Sequence, residues 1–111
     1  MTHEPLWSAH VTEQGTTHTV TLAGELDLLA ADGLRHLLVA QLDEPGTTGV
    51  VANLAGVTFL DSAALGALIV VYRHAEDADR QFTLVEPARS VRRVLEIGGV
   101  YDILVSPGAT S

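Results

Sequence analysis

A serine at the predicted start of a helix offers the clearest chemistry in this sequence. Ser62 follows Asp61, and the apolar residues after it predict a helix over residues 62–79. A phosphate added to the Ser62 hydroxyl would be stabilised by free backbone N–H groups and by the positive end of the helix dipole. Serine and aspartate are also the residues that most often cap helices, so a purely structural role for Asp61 and Ser62 is the alternative.

A second acidic segment, Gly24-Glu25-Leu26-Asp27, stands between a predicted strand and a predicted helix. If the strands before Asp27 and Asp61 run parallel, both carboxylates lie at the same edge of the sheet, around the Ser62 hydroxyl. Paired carboxylates can serve as acid and base, but the sequence adds no metal-binding histidine pair and no oxyanion loop. We therefore expect an acidic recognition rim and no enzymatic activity, with helix capping by Asp27 as the structural alternative.

Other kinds of reactive site lack the residues that they need. A serine hydrolase requires glycines on either side of its nucleophile, and Leu60-Asp61-Ser62-Ala63-Ala64 contains none. His74 lies roughly 18 Å further along the same predicted helix, too far to activate Ser62. No glycine-rich phosphate loop is present, cysteine is absent, and the histidines share no ligand spacing. We expect neither a metal nor a cofactor.

The charge of the chain limits the classes of partner. Its 111 residues include 14 acidic and 6 basic side chains, which gives a formal net charge of -8. A surface of this sign opposes binding to nucleic acid and to anionic lipid, and it favours a basic protein partner. The basic cluster of Arg89, Arg92 and Arg93 is expected to be a solvated helix face, with a contact to an acidic partner as the alternative.

Length and hydrophobicity predict a single domain over residues 1–111, because 47% of the residues are hydrophobic and can form one core. The longest apolar stretch is about half of the roughly 20 residues that cross a bilayer, and the amino terminus lacks the pattern of a secretory signal. We therefore expect a cytoplasmic protein that does not insert into a membrane.

Hydrophobic periodicity predicts the element order β, β, α, β, α, β, α, β. The strands are predicted at residues 6–11, 17–23, 50–54, 81–86 and 103–105. The first two form a hairpin, and the strand over residues 50–54 is expected to be central, parallel and covered on both faces. Helices are predicted over residues 29–43 and 62–79, with a shorter one that contains Val91 and Leu95. The result is an α/β fold in which about three main helices cover a mixed, mostly parallel sheet of about five strands.

Four segments resemble, in their order and spacing, the anti-sigma factor antagonists, which are single-domain members of the STAS group. The segments are Gly24-Glu25-Leu26-Asp27, Val50-Val51-Ala52-Asn53-Leu54, Val57-Thr58-Phe59-Leu60-Asp61-Ser62 with Leu65-Gly66, and Val91 to Leu95 with Gly99-Val100. The resemblance implies a STAS fold, a bacterial protein and regulation by partner switching. In that mechanism the unphosphorylated antagonist binds an anti-sigma factor that is also a serine kinase, and a sigma factor is released.

The resemblance also implies roles for particular residues. The kinase phosphorylates the serine that follows the motif aspartate, here Ser62, and a PP2C-type phosphatase restores the hydroxyl. The implied partner-binding residues are Asp27 and Asp61, which flank the acceptor, and Gly24, Glu25, Ala63 and Ala64, which line the docking edge. The family usually has serine or threonine and then glycine after the acceptor, so Ala63-Ala64 departs from its motif. The alternative is a non-signalling STAS module, such as a cytoplasmic subunit of a membrane lipid transporter, in which Ser62 only caps a helix.

Overall fold

The computed structural model describes residues 6–105, in which eight helices and strands follow one another. They are β1 (Trp7–Gln14), β2 (Thr17–Leu26), α1 (Leu28–Asp43), β3 (Gly49–Leu60), α2 (Ser62–Asp77), β4 (Gln81–Val85), α3 (Arg89–Ile97) and α4 (Tyr101–Leu104). The predicted order therefore holds up to the last element. Within residues 6–105, no helix has the length and apolar character needed to cross a bilayer.

The four strands of these residues form one sheet in the order β1-β2-β3-β4. β1 pairs antiparallel with β2, and Gly15 and Thr16 make the short hairpin turn between them. β2, β3 and β4 are parallel to one another, with β3 between the other two. The predicted mixed, mostly parallel sheet is confirmed, and so is the central position of the third strand.

Within residues 6–105, one face of the sheet is covered and the other is open. Val20, Ala52 and Leu84 are neighbours across β2, β3 and β4, and all three are fully buried. The residues that alternate with them along the strands are partly or fully exposed. The prediction that β3 is covered on both faces is wrong, because Val51 and Asn53 of its apolar stretch point to the open face. A short run of mostly apolar residues does not reveal this alternation.

The covered face packs against α1 and α2, which also contact each other. Polar contacts join the carboxyl end of α1 to that of α2. His74 Nε2 lies 2.7 Å from Asp43 Oδ1, and the Arg80 guanidinium donates to the backbone carbonyls of Leu42 and Glu44. His18 is buried beneath the same end, with its Nδ1 2.7 Å from Gln41 Oε1. Both helices therefore present their amino ends together at the opposite edge of the sheet.

The predicted fifth strand is absent from the described residues. Tyr101–Leu104 form the short helix α4, and Val105 pairs with the sheet through a single parallel bridge to Leu84. Leu104 is buried, whereas Ile103 is 54% exposed. An apolar stretch as short as residues 103–105 fits one turn of helix as well as it fits a strand, so the pattern alone gave the wrong element.

Candidate functional site

Two helices begin side by side at the edge of the sheet where β2 and β3 end. Leu26 and Leu60 are register partners at the ends of these parallel strands. An aspartate follows each strand and caps the next helix, Asp27 at α1 and Asp61 at α2. Parallel strands bring their carboxyl ends to one edge, so the structure places both carboxylates there, as the sequence predicts.

Asp61 connects the two helices through both of its carboxylate oxygens. Its Oδ1 accepts a hydrogen bond of 3.0 Å from the Ala64 N–H in α2, and its Oδ2 accepts one of 3.1 Å from the Leu28 N–H in α1. Asp27 caps α1, where its Oδ1 accepts hydrogen bonds from the Leu29 N–H at 3.0 Å and the Ala30 N–H at 3.2 Å. Backbone donors therefore hold both negative charges in place, which suits recognition better than proton transfer.

Ser62 is the first residue of α2 and is exposed to solvent. The first turn of an α-helix has backbone N–H groups without partners inside the helix, and Asp61 takes that of Ala64. A phosphate on Ser62 would lie next to the other donors of this turn and at the positive end of the helix dipole. The same phosphate would lie beside the Asp61 carboxylate, so the helix end would attract it while the aspartate repelled it.

The residues expected to line the docking edge lie in different environments. Glu25 is exposed and Ala63 is partly exposed, so both can touch a partner. Ala64 is fully buried, so its methyl group belongs to the core and only its N–H takes part in the site. Gly24 is partly buried at a φ of 94°, and an added Cβ would lie 2.1 Å from the Leu6 carbonyl oxygen. Gly24 and Ala64 therefore shape the edge without presenting a side chain to a partner.

Sequence reasoning missed the apolar side chains at this edge. Leu28 and Leu29, in the first turn of α1, are 71% and 88% exposed, and Phe59, near the end of β3, is 49% exposed. A signal for the two leucines was present, because they stand outside the stripe of α1 that faces the core. The edge around Ser62 is therefore apolar as well as acidic.

The basic cluster lies on α3, where Arg89, Arg92 and Arg93 are all exposed. Arg92 Nε lies 3.3 Å from Glu96 Oε2, and the Arg92 guanidinium carbon lies 4.8 Å from the centre of the Tyr101 ring. Such contacts are typical of a solvated helix face, which is the first of the two predicted roles. In the part of the chain that the structure describes, no group of three or more His, Cys, Asp or Glu side chains could hold a metal ion.

The chain matches a known family over most of its length. Residues 8–110 match the family described as the STAS domain. The chain belongs to the STAS domain family. The resemblance drawn from the four sequence segments is thereby confirmed.

Known proteins resemble this STAS domain moderately in sequence and closely in fold. An anti-sigma-B factor antagonist of Staphylococcus epidermidis is 29% identical over 87 residues, which are 78% of this chain and 80% of the relative. An anti-sigma factor antagonist structure from Mycobacterium paratuberculosis has a TM-score of 0.79 at 22% identity, covering 91% of this chain and 86% of that chain. The unphosphorylated anti-sigma factor antagonist SpoIIAA has a TM-score of 0.75 at 21% identity, covering 93% and 92%.

The Asp61 link between the two helices should be measurable as a coupling free energy in this STAS domain. Asp61→Ala removes the cap of α2 and the acceptor for the Leu28 N–H, so it should lower the free energy of unfolding by about 1–3 kcal/mol. Leu28→Pro removes the same N–H without breaking α1, because proline fits the first helical position and Asp27 is already extended.

The measurement is a double-mutant cycle by urea denaturation. The double variant should lower the free energy of unfolding by about 1 kcal/mol less than the sum of the losses in Asp61→Ala and Leu28→Pro. The reason is that each single change already removes the same hydrogen bond. Leu28→Ala is the matched control, since it keeps the N–H, and its cost should simply add to that of Asp61→Ala. Additive costs for the proline variant would show that the 3.1 Å contact contributes nothing to stability.

Proposed function

We propose that this chain, acting as a single STAS domain, is an anti-sigma factor antagonist of the bacterial cytoplasm that is switched by phosphorylation of Ser62. In its unphosphorylated form it binds an anti-sigma factor that is also a serine kinase, and this binding releases a sigma factor. The kinase then phosphorylates Ser62, and the complex dissociates. A PP2C-type phosphatase removes the phosphate and restores binding. The chain is a substrate in this cycle and catalyses no step of it.

One observation carries the proposal: an exposed serine begins a helix at an edge that holds two fixed carboxylates. Ser62 directly follows Asp61, and Asp27 caps the neighbouring helix at the same edge. The related anti-sigma-B factor antagonist supports the same function by its sequence. The formal net charge of -8 supports a basic protein partner in place of nucleic acid.

Phosphoryl transfer needs from this chain only an accessible hydroxyl. The Ser62 Oγ forms a bond to the γ-phosphorus of ATP while the bond from that phosphorus to ADP breaks, and the hydroxyl proton passes to a base of the kinase. The product phosphate then faces ADP and lies beside Asp61, with a charge of about −1.5 to −2 at neutral pH. Repulsion between these charges and loss of their solvation weaken the complex, which dissociates.

The departure from the family motif at Ala63-Ala64 is compatible with this function. Alanine is a better helix former than glycine, so it stabilises the first turn of α2. The Ala64 methyl group is fully buried and does not obstruct a kinase. Ala63 is partly exposed and presents a methyl group where the family usually presents a hydroxyl.

The test combines the purified protein with MgATP and a candidate anti-sigma serine kinase, which is to be sought among the genes next to its own. Intact mass and the site of modification are measured. We expect the wild type to gain one phosphate and Ser62→Ala to gain none. Ser90→Ala is the matched control, because Ser90 is also an exposed serine in the first turn of a helix, α3, and this variant should be labelled like the wild type.

Three results would contradict the proposal in different ways. Equal labelling of Ser62→Ala and wild type would refute Ser62 as the acceptor. Binding without any gain of phosphate would indicate a constitutive antagonist. Neither binding nor labelling, together with transporter genes around the gene for this chain, would indicate a non-signalling accessory module in which Ser62 only caps α2.

A further inference from the structure

Exposed apolar side chains gather at the edge that carries Ser62. Among residues 6–105, seven large apolar side chains are exposed: Leu6, Leu28, Leu29, Phe59, Val70, Ile97 and Ile103. Three of them, Leu28, Leu29 and Phe59, form what we term the apolar patch. The two leucines are the first two residues of α1. Phe59 lies near the end of β3, where it is the register partner of Glu25.

The leucines of the apolar patch are not explained by folding. Leu28 and Leu29 are 71% and 88% exposed, whereas the core-facing side chains of α1 come from later positions such as Leu34 and Leu38. The first turn of a helix favours acidic side chains, which interact well with the dipole, yet the first turn of α1 contains none. Large apolar groups kept in water beside a functional residue indicate a surface that a partner covers.

The apolar patch is fixed relative to the Ser62 hydroxyl. The Leu28 N–H donates to Asp61 Oδ2 at 3.1 Å, and Asp61 directly precedes Ser62. Asp61 also caps α2 through its other oxygen, so the start of α1 and the start of α2 are held as one unit. A protein that encloses the Ser62 hydroxyl therefore meets the leucines in the same encounter.

Charge decides which kind of occupant fits the apolar patch. Glu25, Asp27 and Asp61 lie at the same edge, so a membrane with anionic lipids is repelled from it. A second copy of this chain, docked by two-fold symmetry, would bring the same carboxylates face to face. A partner that is apolar at the centre of its contact surface and basic around it avoids both penalties.

We propose that the apolar patch is the anchor for the anti-sigma serine kinase, and that Leu28 and Leu29 insert into an apolar surface of that kinase when it encloses Ser62. This inference rests on the proposed function and names the chemistry of the partner surface. The carboxylates steer the encounter, while the leucines supply most of the affinity, because a few buried anchors dominate the energetics of most interfaces.

The test measures binding to the purified candidate kinase in the presence of ADP, so that no phosphate is transferred. Leu28→Gln/Leu29→Gln should weaken binding about 100-fold, as the loss of two anchors does. Val70→Gln/Ile103→Gln is the matched control, because these apolar side chains are 47% and 54% exposed on α2 and α4, away from Ser62. It should change affinity less than about twofold, and thermal unfolding should show that both double variants are folded.

A high salt concentration distinguishes the contribution of the leucines to affinity from that of the carboxylates. The loss caused by Leu28→Gln/Leu29→Gln should persist at about 0.5 M NaCl, whereas the smaller loss caused by Glu25→Gln should shrink there, because salt screens exposed charges. A leucine effect that disappeared in salt would show that these residues act indirectly on the charged rim, and it would overturn the inference.

Failure of the inference and failure of the proposed function give different results. If wild type binds and Leu28→Gln/Leu29→Gln binds equally well, the inference is overturned and the proposed function stands. If wild type does not bind the kinase, the proposed function is overturned, and the inference with it. If sedimentation shows that the leucine variant converts a dimer into a monomer, the occupant is a second copy of this chain, and the inference is overturned.

Discussion

Phosphorylation of Ser62 should weaken binding to the anti-sigma serine kinase at least about 100-fold, a difference of about 2.8 kcal/mol. The phosphate adds a charge of about −1.5 to −2 next to Asp61. Asp61 does not turn away, because both of its oxygens accept backbone hydrogen bonds. In the complex both charges lose solvation and the phosphate faces the ADP of the kinase, and like charges brought together across an interface cost several kcal/mol. Titration calorimetry of the purified phosphorylated and unphosphorylated forms checks the expected loss.

Two substitutions of nearly equal size show whether the charge or the volume of the added group weakens binding. Ser62→Glu and Ser62→Gln add side chains of almost the same volume, but only glutamate brings a negative charge. We expect Ser62→Glu to weaken binding at least about tenfold more than Ser62→Gln, which is about 1.4 kcal/mol. Equal losses for the two variants would mean that the interface excludes any large group, and the electrostatic account of the switch would be wrong.

Gly24→Ala should be among the most destabilising single changes at the site, with a loss of about 3 kcal/mol or more in the free energy of unfolding. Gly24 has a φ of 94°, and an added Cβ would lie 2.1 Å from the Leu6 carbonyl oxygen. That carbonyl also accepts a hydrogen bond of 2.9 Å from the Glu25 N–H. The chain must shift to admit the methyl group, and the start of β1 then separates from β2. Urea denaturation measures the loss.

Gly46→Ala isolates the part of this cost that comes from backbone conformation. Gly46 has a φ of 85°, close to that of Gly24, but an added Cβ would meet no heavy atom within 4 Å. Gly46→Ala should therefore lower the free energy of unfolding by about 1–2 kcal/mol, which is the cost of the backbone conformation alone. Equal losses at the two glycines would show that the close approach of Gly24 to Leu6 does not constrain the fold.

The position of the site was predictable because it depends on strand direction alone. Once the strands before Asp27 and Asp61 are parallel, their carboxyl ends must share one edge, whatever the details of packing. The hydrogen bond from Leu28 to Asp61 was not predictable in the same way. It depends on the register of β2 and β3, which shifts at two irregularities between Thr21 and Glu25 that leave no clear mark in the sequence.

The errors of the sequence analysis arose where a pattern was too short or was interpreted too narrowly. Val50–Leu54 is apolar at nearly every position, which hides the fact that Val51 and Asn53 face away from the core. The stretch of residues 103–105 is shorter than one helical turn and covers only one and a half periods of a strand, so its pattern cannot distinguish the two elements. Leu28 and Leu29 are recognisable in the sequence as apolar residues outside the core stripe of α1, but apolar residues at a helix start are more often buried, and this position alone does not mark the two as exposed.

The bond between Asp61 and the start of α1 also bears on the entropy of association. Binding surfaces that must become ordered lose part of their interaction energy to that ordering. Here one carboxylate locks two helix ends together before any partner arrives, so the serine and its neighbours need no rearrangement. We therefore expect fast recognition limited by the encounter itself, and an exchange of partners whose rate is governed by how quickly the old complex separates.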